Sequence, residues 1–135
     1  MGKTVKVVAA IIVKEGKILC VKRGLAGYSY VAGRYEFPGG KIEAGEDVCE
    51  ALHREIFEEL DIEIEIVKDF LTVTHSYPDF DIVLHTFICT HKRGEITLRE
   101  HTDYKWLSPE KLDSLIWAEA DYPIVERLIS EADTI

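Results

Sequence analysis

The chain has 135 residues, 47% of them apolar and 30% charged, a balance that suits one globular domain with a buried core spanning residues 1–135. Its formal net charge of −9 excludes nucleic acid as an expected partner, because a phosphate backbone selects Lys and Arg. The same charge would repel a small polyanion unless cations bridged it.

Val5–Val13 is rich in β-branched residues and predicts a buried strand. It is far too short to cross a bilayer, so no membrane role is expected. Lys14–Lys17 reads as a turn and Ile18–Lys22 as a second strand pairing back on the first. Arg23–Arg34 is a long loop with Gly24, Gly27, Gly33, Tyr28 and Tyr30, a length more often functional than idle in so small a domain. Lys22, Arg23 and Arg34 are cations in an acidic chain, either solvated charges or contacts for an anion.

Phe37–Glu46 is a tight glycine turn feeding a helix whose apolar stripe is Val48, Leu52, Ile56 and Leu60. At about 100° per residue, Glu55, Glu58 and Glu59 fall within roughly a third of its circumference, at the edge of that stripe. Glutamates three and four apart repel each other. A hard divalent cation such as Mg²⁺, which takes carboxylate and carbonyl oxygens, would relieve that repulsion. Glu46 and Asp47 precede the helix and suit its positive end, as caps or as further ligands.

Ile62, Ile64 and Ile66 then alternate with Glu63 and Glu65 as a half-buried strand. Leu71–His75 is a further strand, Ser76–Asp79 a turn, Phe80–Thr90 the next strand and His91–Gly94 the next turn. Ile96 and Leu98 begin a short edge segment, and Tyr104–Leu107 forms another. Ser108-Pro109-Glu110 has the form of a helix start, and Ile124, Leu128 and Ile129 give the last helix its apolar face. A mixed sheet with a helix on each face, an α/β/α sandwich, fits this order. Cys20, Cys49 and Cys89 lie in apolar stretches, odd in number and without a CxxC pair. They read as core thiols of a reducing compartment, so the cytoplasm is the expected location. His53, His75, His85 and His91 show no ligand spacing, and Trp106 and Trp117 read as core or pocket walls.

Gly40, five residues, Glu46, seven residues, Arg54-Glu55-Ile56-Phe57-Glu58-Glu59, two residues and Ile62 together resemble the Nudix box. The family has a glycine where this chain has Asp61, a residue that tolerates the left-handed backbone of a helix end. The resemblance implies a Nudix-type α/β/α sandwich and a Mg²⁺ site, with Mn²⁺ as a substitute. It implies metal ligation by the Gly39 carbonyl and by Glu55, Glu58 and Glu59. Arg54 would brace the loop and the carboxylates. Glu100 precedes Trp106 by six residues, as a metal-binding or base-like glutamate does in MutT-type relatives. Glu55 and Glu100 are therefore the two candidates for general base. Arg23, just after the second strand, matches a phosphate contact, and Arg34 is a second substrate-binding candidate. His101 beside Glu100 would either help bind or be exposed.

Asp121 lies in Ala120-Asp121-Tyr122-Pro123. It is a helix-start residue on the plain reading and a base-reading acid on the functional one. MutT-type proteins have Ala-Asn-x-Pro there, whereas the CTP pyrophosphohydrolase branch has Ala-Asp-x-Pro and resembles residues 7–12 and 16–19 as well. The expected function is a Mg²⁺-dependent nucleoside triphosphate pyrophosphohydrolase releasing monophosphate and pyrophosphate. CTP, dCTP or a modified pyrimidine triphosphate is the expected substrate. The alternatives are an 8-oxo-dGTP diphosphatase, a hydrolase of another nucleoside diphosphate derivative, and a non-catalytic nucleotide-binding module. The chain is expected to act as a monomer or homodimer.

Overall fold

The computed structural model describes residues 3–134. Among these, seven strands form one mixed sheet: β1 (Lys3–Lys14), β2 (Lys17–Lys22), β3 (Tyr35–Glu36), β4 (Gly39–Lys41), β5 (Glu63–Ser76), β6 (Phe80–Arg93) and β7 (Asp103–Leu107). The central path runs β3-β2-β1-β6-β5, with β4 on β1 and β7 on β2. β1 and β6 are parallel from Lys3↔Phe80 to Val13↔Thr90, and the remaining pairs are antiparallel.

Helix α1 (Val48–Leu60) covers one face of the sheet, and α2 (Tyr122–Ser130) covers the other with a 3₁₀ turn at Pro109–Ser114. β1 is apolar from Val7 to Val13, where both of its faces are covered. Val8, Ala10 and Ile12 pack with Leu52, Ile56 and Leu60 on the α1 side. Ala9 and Ile11 join Trp117, Ile124 and Leu128 on the α2 side. The architecture is the α/β/α sandwich that the order of elements implies.

Several local expectations are corrected. The two strands expected over Ile62–Ile66 and Leu71–His75 are one long β5, which stays paired to β6 by three register shifts between Glu63 and Thr72. Ile96 and Leu98 form no strand. Their segment is held to the end of α1 by Thr97 N–H donating to Leu60 O and Arg99 N–H donating to Glu59 O. Part of the glycine turn is itself a strand: Gly39, Gly40 and Lys41 pair with Ala9, Val8 and Val7. β6 runs on to Arg93 through the expected turn. Ser108 opens a 3₁₀ turn without a side-chain cap bond. Cys20 and Cys89 are buried free thiols, but Cys49 is exposed on α1. Asp61 sits in the left-handed region at φ 58, and its N–H closes α1 on Phe57 O.

Candidate active site

The site begins with the way α1 is anchored. Asp47 is the N-cap, and its Oδ1 accepts from Glu50 N–H at 2.9 Å while Glu50 Oε1 accepts from Asp47 N–H at 3.2 Å. This capping box employs Asp47 in ending the helix. Glu46 faces Arg54 instead, through two bonds of 2.6 and 3.0 Å. That guanidinium and the Glu43 amide hold the Glu46 carboxyl down at about 2. Arg54 also donates to Glu55 Oε2 at 2.8 Å, Glu58 Oε2 at 3.2 Å and the Lys41 carbonyl at 3.1 Å. One planar fork therefore joins the turn to two of the helix carboxylates.

Two glycines let the helix approach the sheet. A Cβ on Gly39 would run into the Val8 carbonyl oxygen, and one on Gly40 would run into the Glu55 carboxylate. Side chains at either position would force β4 off β1 or Glu55 off the turn.

A cleft of about 460 Å³ opens beside this junction. Arg23, Glu36, Gly39, Glu55, Glu59, Glu100 and Asp121 all line it. Glu59 is nearly buried and its Oε1 has no hydrogen-bond partner. Burial, together with the Glu36, Glu55 and Glu100 carboxylates, pushes its pKa up to about 9. Burial also raises Glu55, although Arg54 draws it back. Among the described residues no three His, Cys, Asp or Glu side chains stand as a finished metal cage. The donor chemistry nevertheless fits a hard cation: converging carboxylates, one carrying an orphaned buried oxygen, beside exposed backbone of a glycine turn.

Asp121 is 5% exposed. Burial first, and then the Glu36 charge, raises its pKa well above the usual carboxylate range, against the pull of the Phe37 backbone N–H and Arg23. Tyr77 Oη accepts from Ala120 N–H at 3.0 Å and so steadies the segment before Asp121. Tyr28, Tyr30 and Tyr77 stack in succession with ring centroids 5.2 Å apart, and Tyr28, Tyr77 and Phe80 reach the cleft wall.

The structure thus gathers Arg23, Gly39, Glu55, Glu59, Glu100 and Asp121 around one cleft. It does not bring Arg34 there: Arg34 Nη1 donates to the Trp117 carbonyl at 3.1 Å and fastens the loop to the α2 side. Glu58 lies outside the cleft wall, half-exposed and paired with Arg54. His101 is buried against Glu36, and Trp117 is fully buried in the core, stacked on Phe37 at 4.7 Å. Glu36, Tyr28, Tyr77 and Phe80 went unmarked as site residues in the sequence. Their one local signal was an acid directly before Phe-Pro-Gly-Gly and a run of aromatics around a turn.

Sandwich, glycine turn and carboxylate helix meet around one cleft. The NUDIX domain model matches residues 2–128, and the chain belongs to the Nudix family. It is 36% identical over 128 residues to the CTP pyrophosphohydrolase of Escherichia coli strain K12, covering 95% of this chain and 93% of that protein. It is 32% identical to the 8-oxo-dGTP diphosphatase of Haemophilus influenzae, over 96% of this chain and 94% of that one. The solution structure of the E. coli ORF135 protein superposes with a TM-score of 0.84 at 35% identity, covering 96% of this chain and 91% of that chain.

Proposed function

We propose that this Nudix-family nucleotide pyrophosphatase converts CTP or dCTP, with Mg²⁺, into the monophosphate and pyrophosphate. The observation that carries the choice of base is Asp121, a buried carboxyl on the cleft wall whose pKa burial raises above the usual carboxylate range. A carboxyl that keeps its proton both donates and accepts. It therefore matches the N3 acceptor and the exocyclic amine of cytosine. The N1–H and N2–H edge of guanine offers two donors and asks for an ionised carboxylate, which burial disfavours. Adenine presents the same donor and acceptor pair as cytosine, so ATP belongs in the test. The likeness to a CTP pyrophosphohydrolase supports the same choice.

Glu55, Glu59 and Glu100, with the Gly39 carbonyl, are the groups that would hold Mg²⁺, and Glu58 would join them by leaving Arg54. Bound there, the ion supplies charge neutralisation along the phosphates and a more acidic water. Arg23 at the cleft edge grips the phosphate chain. Glu55, whose carboxyl burial makes more basic than usual, is the proton acceptor we favour, with Glu100 as the alternative. Arg54 keeps Glu55 against the glycine turn. A cytoplasmic nucleotide pool supplies the substrate.

The test is product analysis with Mg²⁺ and CTP, dCTP, 5-methyl-dCTP, ATP, dGTP and 8-oxo-dGTP. Monophosphate and pyrophosphate from the cytosine triphosphates at the highest kcat/KM is the expected result. A preference for 8-oxo-dGTP would replace the cytosine reading with that of the second group of relatives.

A further inference from the structure

Glu36 stands at the centre of a short chain of side chains. Arg23 Nη1 donates to its Oε1 at 3.2 Å, and its Oε2 faces His101 Nε2 at 2.9 Å. Side-chain exposure falls along this chain, from 39% at Arg23 to 21% at Glu36 and 3% at His101. The inner end is buried and the outer end reaches the cleft. The loop that carries His101 is itself pinned, because Thr102 N–H donates to the Lys22 carbonyl at 2.9 Å. That loop also carries Glu100, so the cation and a carboxylate of the site are fastened to one another through Glu36.

An ion pair serving stability alone is poorly placed here. Glu36 lines the cleft close enough to Glu59 and Asp121 for its charge to act on both. A half-buried pair in such company returns little stability. A free arginine, by contrast, loses much rotamer freedom when it grips a phosphate, and one already held by a carboxylate loses less.

We infer that Glu36 and His101 are positioning residues: His101 fixes Glu36, and Glu36 presets the Arg23 guanidinium for the polyphosphate chain. The inference rests on Arg23 being the phosphate grip. Neither residue touches the reacting atoms. Electrostatics alone predicts the opposite effect, since removing a negative charge beside a polyanion site should tighten binding.

The deciding experiment is a double-mutant cycle read by calorimetric titration of inorganic pyrophosphate with Mg²⁺, alongside KM and kcat for the fastest triphosphate. Glu36→Gln should weaken pyrophosphate about tenfold and raise KM by a similar factor, with kcat held within about threefold. In an Arg23→Ala background the same change should add less than about twofold. Tighter binding in Glu36→Gln, or effects that multiply in the double variant, would overturn the proposal. His101→Gln keeps a donor facing Glu36 and should bind nearly as wild type, whereas His101→Ala should resemble Glu36→Gln. Equal behaviour of the two His101 variants would remove His101 from the chain, and this pair decides the matter if Glu36→Gln does not fold. Pyrophosphate carries no base, so the cytosine reading and this one fail separately.

Discussion

At the scale of single residues, proton placement separates the carboxylates of the cleft. Glu46 sits on a guanidinium and is strongly acidic, while Glu55, Glu59 and Asp121 are pushed the other way by burial first and then by neighbouring carboxylates. If Glu55 takes the proton in the reaction, Glu55→Gln should leave a folded protein whose kcat falls on the order of a thousandfold. A kcat near wild type would pass the role to Glu100. Asp121 gives a second expectation. Its folded pKa lies above its unfolded one, so between the two the folded state binds more protons, and stability falls as pH rises. Asp121→Asn should flatten that fall in metal-free protein unfolded by urea at a series of pH values above the usual carboxylate range. It should also keep most cytosine turnover at neutral pH, because an amide likewise donates and accepts, whereas Asp121→Ala should lose it. Greater loss in the Asn variant than in the Ala variant would sink the protonated-carboxyl reading.

At the scale of elements, the glycine turn and α1 act as one piece, and two substitutions should separate its stability from its chemistry. Asp47→Ala removes the capping box and should cost about 1 kcal/mol in urea unfolding with kcat almost unchanged. Gly40→Ala should do the reverse, because its new methyl displaces the Glu55 carboxylate and therefore depresses kcat more than stability. This piece was legible in the sequence because its logic is local. Fixed spacing along a helix puts Glu55 and Glu59 on one side, and a left-handed Asp61 ends it where a glycine was missing. Arg34 has no such local logic: a cation at a loop end does not announce its direction, and here it turns to the Trp117 carbonyl. The contact between Glu36 and His101 is illegible in the sequence for a related reason. They meet through the pairing of β2 with β3 and the docking of residues 100–102 on β2, contacts between positions far apart in sequence.

At the scale of the whole molecule, the sheet brings together carboxylates that weaken the fold unless a cation joins them. The layer order followed from the sequence because β1 needs cover on both faces, but the closeness of Glu36, Glu59 and Glu100 depends on three separate segments meeting. Glu59 makes the consequence measurable. With a pKa of about 9 in the metal-free fold, it holds a proton through neutral pH and must release it to bind a cation. Raising the pH toward 9 should therefore strengthen Mg²⁺ binding, and the stabilisation that Mg²⁺ confers by mass action should grow with it. The thermal midpoint should rise with Mg²⁺ by several degrees more at pH 8 than at pH 6, at equal ion concentration. Proton uptake into buffers of different ionisation enthalpy should report close to one proton released per ion near pH 7. Glu59→Gln should abolish both the pH dependence and most of the Mg²⁺ response while raising the stability of the metal-free protein at pH 8, because it removes the group that resists ionisation. A Mg²⁺ shift that is the same at both pH values in the wild type would place the ion elsewhere than on Glu59.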